Sequence, residues 1–470
     1  MTGGNSQARL FKLLATAVLA AVLVACGGGA EDVSTGSESA SGAYAPAAAD
    51  LPGGVAPPAG KSILNEWESY EDPDAAQPAA TAADPIEALV GKGARLNRES
   101  LEAAQRKAAA APPVRKAAYG GLVPVYRFYN ASTAAHFYTR SETERDDVIL
   151  NLPNFQYEGP AFEVSPTPQE GLSPVYRFFN TATGVHFYTI SEEERALIVS
   201  SLPQYIAEGV AYYASTVAGT GLTPMYRFYR QDRGLHFYTA HYTERDNVIS
   251  MSCAYRYEGT GYYVFDANAV ANPPAATPNA VVLVVGDSLA RGYGVSLGGT
   301  VYNFVSRGQV WTERLATEIK TRTNRTCNKV VNVSVGGMRT VEGASGIQGW
   351  LDAYAPTHVI LAQGTNDALQ DLGVGSMSSR LTNMAQASKL IGAHVYVMEF
   401  PFYPAGYRNN RQDMTTMYQG VATNNLVAYL NGAGNVPANP TYYHPDSVHL
   451  KDAAQPRVLE TVWAALQPSL

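Results

Sequence analysis

Five residues in the C-terminal half have the types and the surroundings that acyl transfer needs. Ser288 comes straight after the run Val281-Val282-Leu283-Val284-Val285-Gly286-Asp287. Gly337 closes Asn332-Val333-Ser334-Val335-Gly336-Gly337, Asn366 lies in Gly364-Thr365-Asn366-Asp367, and Asp446 stands three residues before His449. Attack on an ester carbonyl requires a nucleophile, a base to take its proton, a group to orient that base, and donors for the developing oxyanion. Ser288 is the candidate nucleophile, because a serine that opens a helix after a buried strand projects its hydroxyl into a crevice. His449 is the candidate base, and Asp446 reaches the same side of one turn to hold the imidazole tautomer. The N–H groups of Ser288 and Gly337 and the side-chain amide of Asn366 make the candidate oxyanion hole, glycine letting the backbone approach substrate without a Cβ in the way. His444 is a rival base, but the position three before it is Thr441. Each residue also has a bland reading, as a helix cap, a turn glycine, an Asx turn or a surface histidine. Asp287 and Asp367 read as loop-orienting or capping carboxylates rather than proton carriers.

The elements around these residues alternate. Val281–Val285 is a continuous β-branched run of the kind a buried parallel strand requires. Val330–Ser334, His358–Ala362 and His394–Glu399 read as further strands, and 309–321, 376–391, 411–430 and 452–466 as helices. That alternation predicts a parallel sheet covered on both faces, with ligand chemistry at the carboxyl ends of its strands, where the polar residues lie.

The four blocks, in this order and at these strand ends, resemble the SGNH hydrolases, also called GDSL esterases and lipases, over residues 279–470. The resemblance implies a flavodoxin-like α/β domain at 280–470 and a serine esterase with a Ser288–His449–Asp446 triad, without metal or organic cofactor. It departs from the family pattern in block two, where Ser334-Val335 precede Gly336-Gly337, so that Gly336 shares or replaces the role given to Gly337 as an open alternative. Family members include carbohydrate deacetylases and lysophospholipases, which leaves a small acyl ester or an acylated glycan as the favoured substrate and lipid as the rival. The stretch 290–310, rich in glycine and polar residues, shows no obvious apolar lid.

A second region repeats itself. Tyr126-Arg127-Phe128, His136-Phe137-Tyr138-Thr139, Glu144-Arg145 and Glu158-Gly159 recur fifty and one hundred residues later without slippage. A fixed period of this size marks one supersecondary unit used repeatedly, here in copies 121–170, 171–220 and 221–268 of a module at 116–268. Each copy reads as a hairpin (Val125–Tyr129 and His136–Thr139), a short helix opened by a capping box at Ser141 and Glu144, and a strand near Tyr157–Val164. Three copies most simply close around a pseudo-threefold axis, which protects strand edges. The pattern resembles a tandem repeat of unknown function in bacterial secreted proteins. Its repeated His, Tyr and Arg serve either packing or three glycan pockets; an axial metal is a weaker idea because the histidines sit in aromatic strands.

At the N-terminus, Arg9 and Lys12 precede an apolar run ending Leu23-Val24-Ala25-Cys26-Gly27. Residues 1–25 read as a signal peptide and resemble that of a bacterial lipoprotein, which implies acylation of Cys26 and a membrane-anchored envelope protein. Residues 26–115, rich in Ala, Pro and Gly, read as a disordered tether with a marginal helix over Arg98–Ala111, and 269–279 as a linker. The 34 basic against 41 acidic residues give a net charge of −7, and no Lys/Arg run stands out from that background, so no nucleic-acid partner is expected. Three cysteines make neither a disulfide framework nor a four-ligand zinc site, although Cys253 and Cys327 are left as an open pair. The reading is an envelope esterase whose repeats place it near a surface polymer; the alternative is a surface-binding or adhesion lipoprotein that acts through the repeats.

Overall fold

The computed structural model describes residues 85–109, 114–266, 270, 273–297, 300–370, 372–400, 411–446 and 448–470. The expected signal peptide, the lipidation site Cys26 and the tether before residue 85 lie outside the described residues. The described residues form two compact units: one of Leu96–Ile249 and Ala254–Ala276, the other of residues 85–95, Ser250–Cys253 and Thr277–Leu470.

The first unit contains the repeated sequence. Its strands and helices recur in step: Val123–Asn130, Ala135–Thr139, Glu142–Asn151 and Phe155–Val164 are followed by Ser173–Asn180, Val185–Thr189, Glu192–Ser201 and Tyr205–Ala214, then by Leu222–Arg230, Leu235–Thr239, Tyr242–Met251 and Tyr255–Phe265. Every hairpin is antiparallel, because two short β-rich segments joined by a few turn residues pair most simply that way. The strands of the first and last copies share a six-stranded sheet, and those of the middle copy form a three-stranded one. One core takes equivalent residues from all three, among them Val125, Val175 and Met225, and Phe162, Tyr212 and Tyr262. Within it three tyrosine hydroxyls donate to the backbone carbonyl of another copy: Tyr138 to Tyr238 at 2.5 Å, Tyr188 to Tyr138 at 2.7 Å, and Tyr238 to Tyr188 at 2.8 Å.

The helix at Glu142 forms only half of its capping box. Ser141 Oγ accepts from Glu144 N–H at 3.2 Å, but the Glu144 carboxylate takes the guanidinium of Arg177 at 3.0 Å instead. The expectation of a disordered tether through residue 115 is also corrected, since Pro85–Ala108 is one helix. The composition alone made that helix marginal; tertiary contacts rescue it, with Leu101 buried in the repeat core and Asn97 Nδ2 donating to the Gly261 carbonyl at 3.1 Å.

The second unit is built on five parallel strands in the order Lys329–Asn332, Val281–Gly286, His358–Ala362, His394–Glu399 and Ala428–Asn431. In chain order this is 2-1-3-4-5, so the direction of winding reverses beside Val281–Gly286. Alternate residues of that strand feed opposite cores: Val282 and Val284 pack with Trp311, Leu315 and Val458, and Leu283 and Val285 with Ile347, Leu381 and Met384. Cys253 and Cys327, left open by the sequence, are joined as a disulfide.

Three details differ from the sequence reading. The helix expected over 411–430 is Arg411–Asn425; Leu426 turns into the left-handed region with φ 52°, and Ala428–Asn431 then adds the edge strand. The helix Thr340–Tyr354 was not anticipated, because Gly343, Gly346 and Gly349 obscure its apolar period. Gly343 packs closely there: a Cβ would stand 1.9 Å from Oε1 of Gln363, so that side chain would have to shift. Finally, the stretch 290–310 is less polar in space than in sequence. Its strands Val295–Leu297 and Thr300–Tyr302 pair as a hairpin, and Val295, Phe304, Val305 and Val310 form a small buried cluster.

Candidate active site

The strand Val281–Gly286 delivers the chain to the switch point. Gly286 permits the close passage, since a Cβ there would meet the Ala290 Cβ at 2.6 Å and Ser334 Oγ at 2.7 Å. Asp287 then caps the short helix Ser288–Arg291, its Oδ1 accepting from Leu289 N–H at 2.9 Å. Ser288, as the first residue of that helix, has an N–H that the helix does not use. The carbonyls of this turn are held from outside: Trp311 Nε1 donates to Leu289 and Asn332 Nδ2 to Ala290, at 3.2 and 2.9 Å.

The other end of the site is a closed loop before the last helix. A bridge between Tyr443 and Leu450, and the bond from His444 N–H to the His449 carbonyl at 2.8 Å, tie its two arms together. Within it Asp446 Oδ1 accepts the N–H groups of Val448 and His449, both at 3.0 Å, which turns the chain so that both side chains face inward. Asp446 Oδ2 lies 2.7 Å from His449 Nδ1, and His449 Nε2 lies 2.7 Å from Ser288 Oγ. The fold thus brings Ser288, His449 and Asp446 into one hydrogen-bonded line. Burial would raise the Asp446 carboxyl, but the imidazole beside it and the two backbone donors hold it at about 2, so it stays ionised. Burial pushes Asp287 up to about 6 despite its backbone donor.

Asp287 and Asp367 do orient loops. Thr340 N–H and Oγ1 both donate to Asp367, at 2.8 and 2.6 Å, fixing the start of the helix after Gly337. Asn366 Nδ2 donates to the Met338 carbonyl at 3.1 Å and to Asp287 Oδ2 at 3.4 Å, so its amide is set against the turn that carries Gly337. The two glycines of that turn differ. Gly337 has φ 77°, a conformation that favours glycine, whereas Gly336 is jammed against the hairpin, a Cβ there reaching 2.5 Å from Val295 Cγ1. His444, the rival base, is turned away from Ser288, its Nε2 lying 2.8 Å from the Phe304 carbonyl oxygen.

Sequence reasoning missed Phe304, whose ring lies flat on His449 with centroids 3.5 Å apart and planes 1° apart. No spacing rule points to it; the aromatic pair Tyr302 and Phe304 in a glycine-rich stretch was the only signal. Among the described residues no group of three or more His, Cys, Asp or Glu is placed to hold a metal ion, and no helix is long and apolar enough to cross a membrane.

Comparison with known proteins separates the two units. Residues 124–265 match the model of a Domain of unknown function (DUF5648). Residues 284–455 match that of the GDSL-like Lipase/Acylhydrolase family. The Esterase TesA of Pseudomonas aeruginosa is 30% identical over 193 residues, covering 40% of this chain and 89% of that protein. An Arylesterase of Vibrio mimicus is 27% identical over 183 residues, 38% of this chain and 85% of its own. A solved structure, the Crystal Structure of TesA, covers 40% of this chain and 99% of its own at 26% identity and a TM-score of 0.36. Through its C-terminal unit the chain belongs to the GDSL-like Lipase/Acylhydrolase family, and it is a carboxylic ester hydrolase.

Proposed function

We propose that the protein is a serine esterase that removes short or carbohydrate-linked acyl groups through an acyl-enzyme, with Ser288 as nucleophile, His449 as base and Asp446 as the group that orients it. The observation that carries this reading is the line of two 2.7 Å contacts from Asp446 through His449 to Ser288. With Nδ1–H donating to an ionised Asp446, Nε2 is left as the acceptor for the Ser288 hydroxyl. As Ser288 Oγ bonds to the acyl carbon, its proton passes to Nε2, and the imidazolium that forms is stabilised by the carboxylate. The N–H groups of Ser288 and Gly337 and the Asn366 amide receive the negative charge on the carbonyl oxygen. The imidazolium then returns the proton to the leaving alkoxide, and water attacks the acyl-enzyme by the same path in reverse. Relatives named as an esterase and an arylesterase support small acyl esters as substrate.

The repeat unit is read as a closed ring of three copies that positions the esterase rather than as three glycan pockets. The repeated groups satisfy one another: Arg127 pairs with Glu244, Arg177 with Glu144 and Arg227 with Glu194, each arginine also meeting the glutamate of its own copy's last strand. Acylation of Cys26 would place the protein in a bacterial envelope, on a membrane and beside a surface polymer. The full chain assayed against p-nitrophenyl esters of two to twelve carbons and acetylated xylan tests the substrate class; a maximum at ten to twelve carbons with no xylan deacetylation favours lipid instead. Palmitate labelling of Cys26→Ala tests the anchor, and undiminished labelling refutes it.

A further inference from the structure

We propose that Phe304 is a positioning residue for His449, one that stabilises the imidazolium through its π face and holds the ring plane while the proton moves. The inference rests on His449 being the base, as read above. Two neutral aromatic rings prefer an offset or edge-to-face meeting, because each presents a negative face. Phe304 and His449 instead lie face to face, 3.5 Å between centroids and 1° between planes. That arrangement suits a cation over a π face, and a cation is what His449 becomes when it takes the Ser288 proton. The contact therefore favours the charged form, and its stabilisation grows as the transition state is approached.

Phe304 is built to stay where it is. Its side chain is buried with Val295, Val305 and Val310, and Tyr302 lies nearly parallel to it at 5.7 Å. Its carbonyl is 2.8 Å from His444 Nε2, on the loop that carries His449. Two residues on, the N–H and hydroxyl of Ser306 donate to the two carboxylate oxygens of Asp452 at 2.7 and 2.6 Å. The segment 304–306 is thus fastened to the chain on both sides of His449. This also gives His444 a purpose without proton transfer: burial lowers it to about 4, so it remains a neutral strut at working pH. The titratable groups that face His449 are Asp446 and His444 on its own loop and Asp287 on the turn before Ser288. A side-chain change at Phe304 keeps the carbonyl that His444 bonds and leaves Asp446 and Asp287 untouched, while it removes the edge-on contact of the Phe304 and His444 rings at 6.0 Å.

The test is the pH profile of kcat/KM for p-nitrophenyl acetate in the full-length protein, with Phe304→Leu and Phe304→Tyr. The leucine variant is expected to move the acidic limb down by about half to one pH unit and to lower kcat by about three- to thirtyfold, with KM little changed. The tyrosine variant, which keeps a π face, is expected to restore both. Should Phe304→Leu fail to fold, Phe304→pentafluorophenylalanine decides, since it keeps the shape and reverses the charge on the face; the limb must again move down. An unmoved limb in whichever variant folds, or tyrosine behaving like leucine, overturns the role of Phe304. Full activity in His449→Ala overturns the base assignment instead, which keeps the two failures apart.

Discussion

Nε2 of His449 lies 2.7 Å from Oγ of Ser288, although 161 residues separate them in the chain. The distance is short because two independent devices aim at the same point: a strand that ends at the switch of the sheet, and a bridged loop that turns its imidazole back toward that strand. Neither device alone makes a reactive pair.

Ser288→Ala and His449→Ala are expected to lower kcat for p-nitrophenyl acetate by about 10⁴-fold or more, and Asp446→Asn by nearly as much, because the amide offers Nδ1 no charge. His444→Ala, by contrast, removes a hydrogen bond to a backbone carbonyl and should cost less than about tenfold. Steady-state kinetics on purified variants checks this, and a His444→Ala enzyme as dead as His449→Ala would reverse the assignment.

Asn366→Ala is expected to reduce kcat by about 10²–10³-fold with KM nearly constant, the usual cost of one oxyanion donor. Since the same amide also holds the Met338 carbonyl, Asn366→Asp should do no better despite its similar shape. Activity unchanged in either variant would remove Asn366 from the site.

In the repeat unit, Tyr188→Phe should destabilise the fold by about 1–3 kcal/mol, because it strips a buried carbonyl, that of Tyr138, of its donor. Tyr138→Phe and Tyr238→Phe are expected to cost about the same. Denaturant unfolding followed by near-ultraviolet circular dichroism measures the loss; a midpoint equal to wild type in all three would show that the hydroxyls do not hold the core.

The Cys253–Cys327 disulfide closes a sequence separation of 74 residues. On chain-entropy grounds its removal should cost about 4 kcal/mol, less whatever strain is relieved. The paired variant Cys253→Ala, Cys327→Ala should therefore lose esterase activity at a lower temperature than wild type, and so should the wild type in dithiothreitol. Thermal inactivation curves that superimpose would contradict this.

Acid should weaken the C-terminal unit through His358. Burial, with the nearby His394 ring, lowers His358 to about 4, well under its unfolded value of about 6.5. Between those values the unfolded chain binds the proton more readily, so stability is complete above about pH 6.5 and is lost as pH falls toward 4. His358→Gln should flatten that decline by up to about 3 kcal/mol. Urea midpoints at pH 7.5 and pH 4.5 give the answer, and an equal slope in both proteins would refute it.

Much of the site could be read without coordinates. The β-branched run before Gly286, the glycines at 336 and 337, and the Asp446–His449 spacing each report a local constraint: a strand buried on both faces, a backbone that must approach closely or adopt positive φ, a carboxylate beside an imidazole. The repeat was legible for the same reason, since identical packing needs write identical residues at a fixed interval. Local pattern also named the wrong extent where neighbours decide. The helix Pro85–Ala108 looked like tether because its stability comes from contacts such as Leu101 in the repeat core, and Thr340–Tyr354 was hidden by three glycines, of which Gly343 packs against the Gln363 side chain.

The sequence by itself determined which groups are present and the local geometry of each: strand, cap, turn and carboxylate pair. Only the tertiary structure decided who meets whom. It joined Cys253 to Cys327, passed tyrosine hydroxyls from copy to copy, turned His444 onto a carbonyl and laid Phe304 on His449. Those contacts join distant parts of the chain, and their geometry is set by the packing of the whole core, so no window of neighbouring residues encodes them.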